Sequence, residues 1–281
     1  AAVVARAREL VESGVQSLAI AFLHAYANPR HEQRAGKLIR DAFPQLPVSL
    51  SSDVSPQIRE YERTSTTVVN AYIKPLAEGY LDLLASEIAK LGIKAPLFMM
   101  LSNGGLTHLA EAKRVPVQML ESGPAAGALA GALFGKRSKI DDVLAFDMGG
   151  TTAKLAMVED GAPLIAYQFE ASRAKRFAEG SGLPINISAI ELIEIGAGGG
   201  SIADIDTLGL LKVGPRSAGA APGPACYGRG GVHPTVTDAN LVLGFLDPAT
   251  FAGGTMTIDR AKAEASIKPL AEKYGLSVAE L

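Results

Sequence analysis

The chain has 281 residues, 48% hydrophobic and 20% charged, enough apolar material to bury the core of one large or two smaller domains. Its 27 basic and 29 acidic side chains nearly cancel, leaving a formal charge of −2, so nothing in the composition attracts nucleic acid or an anionic membrane. The single cysteine, Cys226, cannot close an internal disulfide, and no apolar run approaches the roughly 20 residues of a membrane span, which together point to a cytoplasmic protein.

The chain begins at Ala1, without methionine and inside a helical pattern, so a fragment of a longer polypeptide is expected. Val3, Val4, Ala7, Leu10 and Val11 form the apolar stripe of that first helix. A β-type run over 15–23 follows, then a helix opened by Asn28-Pro29 and carrying Leu38, Ile39 and Phe43, then a strand over 47–52. This alternation predicts helices packed on a mixed or parallel sheet. Residues 66–91 read as a helix with Pro75 as an internal kink, and 96–101 as a strand ending at the turn group Ser102-Asn103-Gly104-Gly105. A small-residue helix over 125–134 opens at Ser122-Gly123-Pro124, ahead of strands at 142–146 and 153–158. Beyond Gly180 the chain is rich in glycine loops, and Ala239 to Phe245 reads as a helix. A domain division near residue 60 is expected, with 1–60 and 61–281 as the two parts.

Between the last two strands lies Asp147-Met148-Gly149-Gly150-Thr151-Thr152. Two glycines remove Cβ atoms where backbone amides must approach an anion, and Thr151 and Thr152 add hydroxyls for phosphate oxygens. Asp147, at the strand end, is placed to hold a hydrated Mg²⁺ or to orient an attacking water. Glu121, just before the small-residue helix, reads as a helix-start carboxylate favoured by the dipole; the order of helix and hairpin resembles actin, the sugar kinases and heat-shock chaperone ATPases, and that resemblance implies a role in orienting water or metal near the γ-phosphate. Gly198, Gly199, Gly200 and Ser201 read as a phosphate or adenosine loop, or as tight turns alone. Asn103, Gly104 and Gly105 form a substrate or phosphate loop, or a capped turn. His233 and Asp238 read as a loop histidine and a helix N-cap ahead of a metal or acid/base pair, and Cys226 as a small packed thiol ahead of a nucleophile.

These motifs together resemble the hydantoinase/oxoprolinase family, in its A-type subunit or region. The resemblance runs through Ala25 to Glu32, Glu60 to Tyr72, Ser102 to Gly105, the Ser122-Gly123-Pro124 helix start, Asp147 to Thr152, Gly198 to Ile202, Pro222 to Gly228 and Pro234 to Asn240. It implies an α/β fold of the actin-like ATPase type, with mixed sheets flanked by helices, binding ATP and Mg²⁺. It further implies ATP-dependent opening of a cyclic amide such as 5-oxoproline or a hydantoin, alongside a B-type subunit. Alternatives are an ATP-dependent ketone carboxylase subunit of the acetone or acetophenone type, and a non-catalytic module gated by nucleotide. Two departures stand out. The family's N-terminal Asp-x-Gly-Gly-Thr-Phe-Thr-Asp loop is absent from this sequence, and Ala153-Lys154 stands where many members carry an acidic residue. Lys154 either reaches phosphate or points outward from its strand.

Overall fold

The computed structural model describes residues 2–171, 174 and 180–281. It is an α/β protein whose residues gather into two compact units, 1–143 with 157–191 and 144–156 with 192–281.

The first unit opens with the helix Ala2–Glu12 and a parallel pair of strands, Leu18–Ile20 and Val48–Leu50, in register Leu18 to Val48 and Ile20 to Leu50. The helix Arg30–Ala42 connects the two, as parallel strands require a crossover. Ala7, Leu18, Ile20, Ile39, Val48 and Leu50 form the buried core of this layer. A Cβ on Gly36 would sit 2.8 Å from Leu50 Cδ2, so glycine lets the crossover helix lie close against the strand. Expected strands shorten to three residues each, because only the parallel stretch is paired.

The helix Glu60–Lys90 starts six residues before the expected 66 and runs past Pro75 without a break. Its buried face is polar: Arg63, Thr66, Thr67, Asn70 and Lys74 are all at most 8% exposed. Each is satisfied. Arg63 donates from Nη2 to the Phe22 carbonyl at 2.8 Å, from Nη1 to the Gln57 carbonyl at 3.0 Å and from Nε to Ser51 Oγ at 3.2 Å. Ser51 Oγ in turn donates to the buried carboxylate of Glu32 at 2.8 Å, which also accepts from the amides of Phe22 and Ser52 at 2.9 and 2.7 Å. Asn70 donates to Ser49 Oγ at 2.9 Å and accepts from Val117 N–H at 3.1 Å, and Lys74 Nζ donates to the Lys113 carbonyl at 2.7 Å. These bonds tie the helix to the second strand at Ser49 and to the turns that follow both strands, and residues 60 and 61, where a domain division was expected, lie inside one unit. Tyr72 and Leu76 on the opposite face are 84% and 81% exposed.

Further along, Phe98–Met100 pairs antiparallel with Leu106–His108 around the turn at 102–105. The helix Leu109–Arg114 and the 3-10 turn Pro116–Met119 lead to the helix Ser122–Ser138, longer at both ends than expected. Val54, Val115, Val117, Ile185 and Ile187 form a second core here.

In the second unit, Ile193–Ile195 pairs antiparallel with the strand Ala153–Glu159, and Ser201–Ile205 pairs with Leu211–Ser217 as a ribbon. The helices Val236–Val242 and Arg260–Tyr274 pack over Cys226, Leu241, Val242, Ile258, Ala263 and Ile267. Among the described residues, no helix is long and apolar enough to cross a membrane.

Removing a buried charged group strands its partners, so Glu32→Ala should destabilise the chain by about 3–5 kcal/mol and Glu32→Gln by less than half of that. Urea melts of the two variants against wild type check this ordering.

Candidate functional site

The strands Val143–Met148 and Ala153–Glu159 are neighbours in one sheet, and their turn belongs to the second unit with the glycine-rich segment. The turn closes on a single backbone bond of its own, from Gly149 N–H to the Thr152 carbonyl at 2.9 Å. Two of its carbonyls are gripped from outside. Gly199 N–H donates to the Gly149 carbonyl at 2.9 Å, and Gly200 N–H to the Gly150 carbonyl at 2.7 Å.

A trans peptide unit is planar, with C=O and N–H pointing opposite ways. Holding the carbonyls of Gly149 and Gly150 toward the glycine segment therefore turns the N–H groups of Gly150 and Thr151 away from it. Neither N–H meets an acceptor among the described residues. Two free amides on one side of a turn can donate to an anion, and a bond accepted at a carbonyl polarises the N–H of the same unit, strengthening it by roughly 10–30%.

The two glycine groups carry different constraints. A Cβ on Gly198 would fall 2.6 Å from the backbone N and C of Thr151 and 2.7 Å from the Gly149 carbonyl, and one on Gly200 would fall 2.9 Å from the Gly150 carbonyl. Packing alone demands glycine at both positions. At Gly150 a Cβ would meet nothing within 4 Å. Folding does not require glycine there.

Ser201, fully buried, accepts from Gly198 N–H at 2.8 Å through its hydroxyl and so fixes the start of the glycine segment. The amides of Gly198, Gly199 and Gly200 are all engaged within the protein. Asp147 stands exposed at the strand end, and its carboxylate has no partner among the described residues. Lys154 makes an ion pair with Glu194 at 3.0 Å across the two strands, where the residues are in register.

Asn103, Gly104, Gly105 and Glu121 lie in the first unit. Asn103 Oδ1 accepts from Gly105 N–H at 2.8 Å, and Gly104 takes φ +82° with its Cα facing Leu129 of the Ser122–Ser138 helix. Ser102 N–H and Oγ donate to the Gln118 carbonyl at 2.8 and 2.7 Å, and its hydroxyl also bonds the Leu120 carbonyl, so the turn is fastened beside Glu121. Glu121 is in the left-handed region at φ 62°, ψ 18°, immediately before the helix.

Asp238 is not the N-cap. Thr235 is, its hydroxyl accepting from Asp238 N–H, while Asp238 at the third helical position bonds back to Thr235 N–H at 2.9 Å. The Thr-x-x-Asp spacing of 235–238 is a capping-box pattern, which locates the helix start three residues earlier than expected. The buried Asp238 carboxylate also accepts from Thr235 Oγ1 at 2.7 Å, Cys226 N–H at 2.7 Å and Ala225 N–H at 3.2 Å. His233 is exposed, and no three metal-ligating side chains gather among the described residues. Cys226 is buried, and burial first, with the Asp238 charge second, pushes its thiol up to about 12.

The sequence profile of hydantoinase/oxoprolinase matches residues 63–281, and that of the hydantoinase/oxoprolinase N-terminal region matches 1–43. The chain is 42% identical to the caprolactamase subunit alpha of Pseudomonas jessenii over 95% of its own length and 37% of the relative's. It is 37% identical to the 5-oxoprolinase of Saccharomyces cerevisiae, covering 86% of this chain and 18% of that one. The crystal structure of the ATP-dependent caprolactamase aligns with a TM-score of 0.69 at 38% identity, covering 99% of this chain and 39% of that one. A nucleotide-free acetone carboxylase structure aligns at 0.75 and 27% identity, covering 99% and 38%. The chain thus spans about two fifths or less of the length of these relatives.

Gly198→Ala, which forces a methyl against fixed backbone, should cost about 1–3 kcal/mol in denaturant melts, whereas Gly150→Ala should leave the melt within about 1 kcal/mol of wild type. For Cys226, the unfolded thiol ionises at about 8.5 while the folded one stays neutral, so unfolding is favoured as pH rises from there toward 12. The stability advantage of wild type over Cys226→Ala should therefore shrink between pH 8 and pH 10, at a limiting slope of about 1.4 kcal/mol per pH unit. Paired urea melts at the two pH values measure it.

Proposed function

The chain belongs to the hydantoinase/oxoprolinase family, and on that footing we propose that it is the nucleotide-handling part of an ATP-dependent enzyme that opens cyclic amides. The observation that carries the reading is the pair of outward amides at Gly150 and Thr151, held by carbonyl bonds behind them and lacking any acceptor of their own among the described residues. The ATP-dependent caprolactamase and the 5-oxoprolinase among the relatives support cyclic amides as the substrate class.

In this reading the turn receives phosphate oxygens of ATP on the amides of Gly150 and Thr151, with the hydroxyls of Thr151 and Thr152 beside them. Asp147, an exposed carboxylate with no protein partner among the described residues, would be the oxygen donor for Mg²⁺, which would neutralise phosphate charge there. Mg²⁺ commonly takes one or two carboxylates and completes its shell with water and substrate phosphate, so a single aspartate suits it. Gly198, Gly199, Gly200 and Ser201 act by shaping the turn, since their groups are already bonded within the protein. Within the first unit, Asn103, Gly104 and Gly105 remain the substrate or phosphate loop and Glu121 the second catalytic carboxylate of this reading. The fold class that accompanies this reading is the actin-like ATPase, and the partner is a B-type subunit.

Chemically, an amide carbonyl is a poor electrophile. Transfer of the γ-phosphoryl group from ATP to its oxygen, releasing ADP, activates the carbon; water adds there and the ring C–N bond breaks with the nitrogen leaving as the amine, and a second water releases inorganic phosphate from the resulting acyl phosphate to leave the carboxylate. The protein's contribution is positioning and neutralisation of charge. The similarity to acetone carboxylase favours a second reading, in which the same phosphoryl half-reaction activates a ketone for bicarbonate-derived carbon.

The test uses the complete natural polypeptide with its partner subunit. ATP-dependent phosphate release should require a lactam, 5-oxoproline or a hydantoin. Release that requires a ketone with bicarbonate instead selects the carboxylase, and release with none of them overturns both readings. Asp147→Asn should lower kcat by about 10²-fold or more, and Gly150→Ala should raise KM for ATP with its melting unchanged. Retained nucleotide binding and partner response without turnover in wild type itself would mark a gate instead of an enzyme.

A further inference from the structure

Resting on the nucleotide reading above, the geometry points to Thr237 as a positioning residue for the phosphate turn. Its N–H and its Oγ1 both donate to the Gly199 carbonyl, each at 2.8 Å. That carbonyl shares a planar peptide unit with Gly200 N–H, which donates to the Gly150 carbonyl at 2.7 Å. The Gly150 carbonyl in turn shares its unit with Thr151 N–H, one of the two outward amides. Thr237 therefore sets the plane of one peptide, and that peptide sets the plane of the next.

A single donor at the Gly199 carbonyl would leave that unit free to tilt about one bond. Two donors from one residue restrict the tilt. Thr237 is itself held, because it is the second residue of the helix Val236–Val242, whose start is locked by the reciprocal bonds of Thr235 and Asp238. It is 8% exposed, and its Oγ1 lies 2.8 Å from where a Cβ on Gly199 would stand, so the hydroxyl occupies the space that glycine leaves. Nothing in this arrangement puts Thr237 against a ligand. It acts through Gly199, Gly200 and Gly150.

Steady-state kinetics of Thr237→Val and Thr237→Ser, in the complete natural polypeptide with its partner subunit, test the assignment. Valine keeps the branched shape and removes the hydroxyl donor, whereas serine restores it. Valine should raise KM for ATP by about three- to tenfold, the worth of one hydrogen bond, while KM for the ring substrate and the melting temperature stay at wild-type values. Serine should return KM for ATP to within about twofold. A Thr237→Val enzyme with unchanged KM for ATP overturns the assignment, and so does one in which both KM values and the melting temperature deteriorate together. If wild type releases phosphate with a ring substrate and Asp147→Asn abolishes that release, a silent Thr237→Val removes this inference alone. No phosphate release from wild type removes the nucleotide reading and this inference with it.

Discussion

Two backbone hydrogen bonds, from Gly199 and Gly200 to the carbonyls of Gly149 and Gly150, organise the second unit. Individually each contributes about 1 kcal/mol net to stability. Their larger effect is directional. Because peptide units are rigid planes, a bond made on one side of the turn decides what the other side presents. The approach is close enough that any side chain at 198 or 200 would meet backbone, and backbone cannot move aside as a side chain can. The ribbon Ser201–Ile205 with Leu211–Ser217 and the capped helix at Val236 then hold the glycine segment where it must be, through Ala218 N–H on the Gly200 carbonyl and Thr237 on the Gly199 carbonyl.

The first unit solves a different problem by similar means. Its long helix presents a polar face to the interior, and burying such groups is favourable only when each finds a partner. Glu32, Ser51 and Arg63 supply them to one another and to the carbonyls and amides of neighbouring turns. A network of this kind has few alternative arrangements, so it fixes the rotation of the helix against the parallel strands more strictly than an apolar contact would. Pro75 does not end the helix because the residues on both sides of it are held by tertiary contacts, Asn70 on Ser49 and Lys74 on the Lys113 carbonyl before it, buried Leu81 and the Asp82 carboxylate on Lys113 Nζ after it.

Much of this was legible in the residues. Apolar periodicity located most helices, and the strand, glycine turn, strand pattern at 143–158 located the hairpin, because both signals are local. What was not legible is what needs two distant segments at once. Gly198 to Gly200 carry the composition of a ligand loop, but the amides of Gly199 and Gly200 are committed to the turn at 149–150, some fifty residues away in sequence, and that of Gly198 to Ser201 Oγ. Lys154 acquires its partner only through the register with Glu194. The polar burial of Arg63 and Asn70 breaks the apolar rule from which helix faces are read, so the helix start at Glu60 was missed. Thr235 was within reach, since its capping-box spacing to Asp238 is a sequence signal that a lone aspartate obscured.

Glu121 holds a backbone shape that glycine or asparagine would adopt at less cost, a difference on the order of 1 kcal/mol for a residue with a Cβ. A library of variants sorted only for thermal resistance would therefore drift away from glutamate at 121, while retaining glycine at 198 and 200 where the backbone leaves no room. Position 121 thus carries a shape that other residues could take at less cost, whereas positions 198 and 200 carry one that only glycine can take.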